Sequence, residues 1–177
     1  MKAGPSASRS DAAAAPSIVK VAISDAGSVV CIEGRGTMRQ SPTVREFICR
    51  LLGADAGTVD LDLGACTYLD STFLGCILDL HKHYGTTRPP RFKVTATPAQ
   101  ARKLFGSTRL DMVLNISDTC APVNGAWHTL PTKAVDAREV ARHVMQCHRF
   151  LSEVEGPNQA AFARIADQMG KEMLNAE

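Results

Sequence analysis

The sequence predicts an α/β protein: a mixed β-sheet with helices packed on it, extended at its C-terminus by a helical hairpin. Three observations carry that expectation. Short Val- and Ile-rich runs with period-two alternation recur between residues 17 and 116, and most intervening stretches place apolar residues at helical spacing. The first two runs flank a short Asp/Gly turn, so the sheet opens with an antiparallel pair before helix crossovers impose parallel pairing. Beyond residue 118 the strand signal stops, and after a linker two amphipathic helical runs remain.

Residues 17–24 and 28–33 form the opening hairpin around Asp25-Ala26-Gly27, and the second strand breaks at Gly34-Arg35-Gly36, read as a loop. Ser41-Pro42 marks a helix start, because Ser41 can cap orphan amides and Pro42 suits the first helical position. Val44, Phe47, Ile48, Leu51 and Leu52 share its apolar face, and Gly53 ends it. Val59, Leu61 and Leu63 then alternate with Asp60 and Asp62 as a buried strand. A solvated sheet edge accounts for the two aspartates as well as a catalytic pair would. The chain turns and delivers Ser71 to a helix carrying Leu74, Ile77, Leu78 and His81, which runs to about Tyr84. A strand over residues 91–95, a helix over residues 98–105 started by Pro98 and ended by Gly106, and a last strand over residues 112–116 complete the order β-β-α-β-α-β-α-β.

Domain boundaries follow from composition. Residues 1–16 are rich in Ala, Ser, Gly and Pro and lack the apolar segment of a secretory leader, so a disordered tail is expected. Residues 17–118 form the sheet domain, residues 119–132 a linker carrying the single tryptophan, Trp127, and residues 133–177 the helical extension. Its first helix places Val140, Val144, Cys147, Leu151 and Val154 along one seam, and its second places Phe162, Ile165, Met169 and Met173 on one face. Seams this short are seldom stable alone. The hairpin is therefore expected to fold back on the sheet domain, with a homodimer through these helices as the alternative.

Several function classes are disfavoured. The formal charge is +2, with Lys and Arg scattered among acids and not gathered in a stripe, so no nucleic-acid partner is expected. No apolar run approaches the roughly 18 residues of a membrane span. Six cysteines occur singly, without C-x-x-C, and His81-x-His83 and Cys147-His148 lack zinc-site spacing. Reduced thiols, a cytoplasmic location and no metal or cofactor are expected. Ser71 is outside any G-x-S-x-G, and His81 lies almost three turns further along the same helix. His128, His143 and His148 could approach Ser71 only through tertiary folding. No catalytic residue is assigned, and a non-enzymatic protein is expected.

A serine at a helix start is ordinarily a cap. Here Ser71 and Thr72 are adjacent hydroxyls, although one cap suffices, and Asp70 precedes them with a carboxylate able to hold either the helix start or a serine proton. A phosphate on Ser71 would sit at the positive end of the helix dipole beside free amides, while adding roughly two negative charges to any partner surface. The turn therefore suits a switch by reversible phosphorylation.

The stretch Tyr68-Leu69-Asp70-Ser71-Thr72-Phe73-Leu74-Gly75, followed by Ile77 and Leu78, resembles the signature of the STAS family, the domain of bacterial anti-sigma factor antagonists. That signature is a hydrophobic strand, an aromatic-aliphatic pair, and Asp-Ser-[Ser/Thr]-Gly-Leu-Gly opening a helix. The resemblance covers about residues 17–118. It implies a STAS-like sheet domain and an anti-sigma factor antagonist phosphorylated at Ser71, with Thr72 the alternative acceptor. It also implies an anti-sigma serine kinase and a PP2C-type phosphatase as partners. Asp70, Phe73, Leu74, Arg35 and Thr37 are the expected partner surface. Two features depart from the family pattern: Phe73 stands where glycine is usual, and Gly34-Arg35-Gly36-Thr37 replaces a loop with an acidic residue after Gly-x-Leu. A second reading keeps the fold without the switch, as a constitutive subunit of a lipid-trafficking transporter or a signalling scaffold. A small-molecule sensor built near the linker is a third.

Overall fold

The computed structural model describes residues 17–25, 27–53, 57–120 and 122–175. The tail expected over residues 1–16 lies outside the described residues. In chain order the elements are β1 (Ile18–Ser24), β2 (Gly27–Gly36), α1 (Ser41–Gly53), β3 (Val59–Asp62), β4 (Cys66–Leu69), α2 (Ser71–Leu80), β5 (Phe92–Thr95), α3 (Pro98–Phe105), β6 (Ile116–Ser117), β7 (His128–Thr129), α4 (Ala137–Ser152) and α5 (Gln159–Asn175). The sheet runs β6-β5-β3-β2-β1-β7, with β4 also paired to β2. β1 is antiparallel to β2, whereas β2–β3, β3–β5 and β5–β6 are parallel, joined by the helical crossovers that parallel pairing requires. This is the mixed α/β sheet with C-terminal helices that the sequence predicts.

Local differences bear on the site. Gly34-Arg35-Gly36 is strand and not loop: β2 continues to Gly36 and changes partner, pairing first with β3 and then, across a register shift at Gly34/Arg35, with β4. The two partners are separated at Leu63–Ala65, where Asp62 Oδ1 accepts the Gly64 amide at 2.8 Å and turns the chain. β4 thereby runs beside the end of β2 and points its last residues at α2. The strand expected over residues 112–116 shrinks to β6, with a 3₁₀ turn at Leu110–Met112 before it. α2 gives way at His81–Gly85 to a π-helical turn. The expected linker contributes β7, which pairs antiparallel with β1 through Lys20–Thr129 and Val21–His128.

The core lies where the alternating strand residues Val19, Val21, Val30, Ile32, Leu61 and Val94 meet the apolar faces of the helices, including Val44, Ile48 and Leu52 of α1. The opposite face is also covered. Asp60 is 1% exposed and pairs with Lys93 at 3.3 Å, which corrects the solvated-edge reading for that residue, whereas Asp62 stays partly exposed. Cys120 of the linker sits by this face: burial first, then the carboxylates of Asp62 and Asp60, push its thiol pKa upward. Trp127 and His128 close a cavity of about 380 Å³ against Lys20, Cys31, Glu33 and Asp62. All six cysteines are free thiols. Among the described residues no helix is long and apolar enough to cross a membrane.

The hairpin packs on its own chain. α4 lies against α2, burying Cys147 and Leu151, and α5 lies against α4. Gly75 is the point of closest approach, since a Cβ there would fall 2.3 Å from the Cys147 carbonyl oxygen. Lys82 on the π turn pairs with Glu153 just beyond α4. At the linker end, Lys133 holds α1 through its amide to Thr43 Oγ1 at 3.2 Å and its ammonium to Glu46 at 2.9 Å.

Candidate functional site

Asp70, at the junction of β4 and α2, is the residue that caps the helix. Its Oδ1 accepts the Phe73 amide at 2.8 Å, and its Oδ2 accepts the Met38 amide at 2.7 Å, tying the β2–α1 connection to the start of α2. The Asp70 amide in turn donates to the Gly36 carbonyl at 3.1 Å. Because the carboxylate does the capping, the hydroxyl of Ser71 is released from that duty.

That hydroxyl meets a histidine. Ser71 Oγ lies 3.0 Å from His148 Nε2, across 77 residues of sequence. On the same ring Nδ1 lies 2.8 Å from the Val144 carbonyl oxygen, an acceptor only, so Nδ1 carries the proton. In the neutral ring Nε2 is then the acceptor, and Ser71 donates to it. His148 is 5% exposed, with Phe162 of α5 tilted against it at 5.8 Å between ring centroids.

The start of α1 repeats this arrangement. Ser41 Oγ lies 2.8 Å from His143 Nε2, although the sequence offered Ser41 as a cap. His143 is held largely neutral: burial, then the positive charge of Arg45, pull its pKa down to about 4, against the smaller raising effects of Asp79 and Asp70. Cys147 lies between the two histidines, and burial pushes its thiol pKa up to about 12. A pair at 2.6 Å between Arg45 Nε and the buried Asp79 clamps α1 to α2 beneath them.

Of the expected site residues, Ser71 is half-buried at the first position of α2, and Thr72 is 3% exposed. Thr72 is thus a poorly placed acceptor in this conformation. Phe73 and Leu74, expected at a partner surface, are buried at 0% and 5% exposure. Phe73 faces the sheet over Gly36, where a Cβ would press within 3.2 Å of its ring and 2.6 Å of Leu69 Cδ2. The two departures at residues 36 and 73 therefore fit each other: glycine in the strand makes room for the ring in the helix. Arg35 and Thr37 remain beside the turn. The Arg35 guanidinium stacks 4.0 Å over the half-exposed Tyr68 ring, and Thr37 Oγ1 donates to Gln40 Oε1 at 2.7 Å.

A hydroxyl, a histidine acceptor and a helix N-terminus are thus assembled on a mixed-sheet α/β domain. The role of His148 is what sequence reasoning missed. The only hint was that His143, Cys147, His148 and Leu151 fall on one helical face. No family model matches the chain, and no curated protein matches it. Among solved structures the chain is similar to the crystal structure of an anti-sigma factor antagonist from Mycobacterium paratuberculosis, with a TM-score of 0.47 and 22% sequence identity. That match covers 59% of this chain and 86% of the other.

Proposed function

We propose that the chain is an anti-sigma factor antagonist, a protein-binding switch controlled by reversible phosphorylation of Ser71, with Asp70, Arg35 and Thr37 at the edge of the partner surface. The observation that carries the reading is the division of labour at the turn. Asp70 caps α2, which leaves the Ser71 oxygen without a backbone role at the positive end of a helix. A phosphate there would find the helix terminus favourable and would change the surface charge by roughly −2. The resemblance of residues 68–78 to the STAS signature points the same way and supplies the partners: an anti-sigma serine kinase that binds the unmodified form, and a PP2C-type phosphatase that restores it. Arg35, Tyr68 and Met38 give the rim a cation, an aromatic ring and an exposed aliphatic chain for such a partner. A cytoplasmic place of action follows from this role.

Intact-mass measurement of the protein isolated from its native cells tests the reading, the expected result being a species heavier by one phosphate that disappears in Ser71→Ala. Persistence of the phosphate in Ser71→Ala overturns the site. Absence of phosphate under every growth condition, with co-purification of a transporter ATPase, supports the constitutive subunit instead. The observation favouring that second reading is that Ser71 is partly covered by His148.

A further inference from the structure

We propose that the α4–α5 hairpin is a mask on Ser71 held within the same chain, and that docking of the hairpin and a phosphate on Ser71 exclude one another. The inference rests on the reading of Ser71 as a phosphate acceptor and adds how access to it is controlled. Three observations carry it. The Ser71 hydroxyl is engaged by His148 Nε2 at 3.0 Å, on a ring whose Nδ1 is committed to the Val144 carbonyl at 2.8 Å. The imidazole is itself buried and backed by Phe162, so moving it away from Ser71 means disturbing the α4–α5 contact. The helix carrying it sits against α2 with backbone contact at Gly75, so it cannot move closer or slide without losing the Cys147 and Leu151 packing.

Phosphorylation transfers the γ-phosphoryl group of ATP. The Ser71 Oγ–P bond forms, the bond from γ-phosphorus to the ADP oxygen breaks, and the hydroxyl proton leaves to a base. In the docked state that hydroxyl is directed at His148 of α4, a contact that a kinase must displace to engage it. After transfer, a group with three anionic oxygens would have to fit between Ser71 and the buried His148 ring, beside the Asp70 carboxylate, and be withdrawn from water there. The helix terminus favours the phosphate, but equally so with α4 released. The charge is therefore accommodated by undocking the hairpin, which uncovers α2 at the same moment that Ser71 is modified.

The test uses the full chain with phosphoserine installed at position 71 during translation, so it needs no kinase. Iodoacetamide labelling is followed at Cys147, on the face of α4 buried against α2, and at Cys66, which lies in the sheet. Phosphoserine is expected to raise Cys147 labelling at least about tenfold while Cys66 stays as protected as in the unmodified chain. Gly75→Ala, whose new Cβ meets the Cys147 backbone of α4 first, is expected to give the same pattern without phosphate. Unchanged Cys147 protection in either protein, or loss of Cys66 protection together with it, overturns the mask. A native protein that never carries phosphate would sink the switch while leaving this labelling result to stand or fall by itself.

Discussion

Phe73 shows how one side chain is settled by its neighbours. At the level of sequence it is a large ring where the family resemblance implies glycine, and the partner surface was its expected place; the sheet is where it lies. It packs there with no exposure, because Gly36 opposite it has no Cβ. Phe73→Ala should therefore lower stability by about 3–5 kcal/mol in urea unfolding, the range for emptying a buried aromatic site. Asp70 acts on two backbone amides from two connections. Asp70→Ala is expected to cost about 1–2 kcal/mol, at the upper part of the capping range, with the loss read in the same unfolding assay. The carboxylate before the serine was legible as a holder of the helix start. That it also holds the β2–α1 connection was not, because Met38 lies 32 residues away.

Helix α4 is where pattern and packing part. The apolar spacing puts Val140, Val144, Cys147, Leu151 and Val154 on one seam, yet Cys147, His148 and Leu151 are the residues fully buried. Histidines with hydroxyl partners are as buried as the aliphatics, and hydropathy does not anticipate a polar group that finds its bond in tertiary structure. The burial of His143 gives this interface a pH dependence. Its folded pKa is lowered from 6.5 to about 4, so the folded chain prefers the neutral ring. The contribution to stability is complete above pH 6.5 and is lost as pH falls through the interval down to about 4. The loss should be on the order of 1–2 kcal/mol once solvent screening of a partly exposed ring is allowed for. Unfolding midpoints at pH 7.5 and pH 5 should diverge by less in His143→Gln, whose amide keeps a partner for Ser41 but does not titrate.

At the scale of the molecule, β2 is the organising strand, paired with β1 on one side and with β3 and then β4 on the other. Hydrogen exchange should rank the β2 and β3 amides slowest and those of the short edge strands β6 and β7 fastest, because edge amides open without breaking the core. Local sequence was enough for the α/β class, the antiparallel opening pair, the helices started near Ser41, Ser71 and Pro98, and the helical hairpin. Each of these rests on periodicity, turn residues or caps within a few positions along the chain. Three outcomes came from the folded chain alone: Asp70 and not Ser71 caps α2, Phe73 faces the sheet, and His148 engages the Ser71 hydroxyl. Those outcomes depend on which distant segments share a space: Gly36 with Phe73, Met38 with Asp70, and α4 with the first turn of α2. The serine singled out by its local sequence is hydrogen-bonded to a helix that begins 66 residues after it.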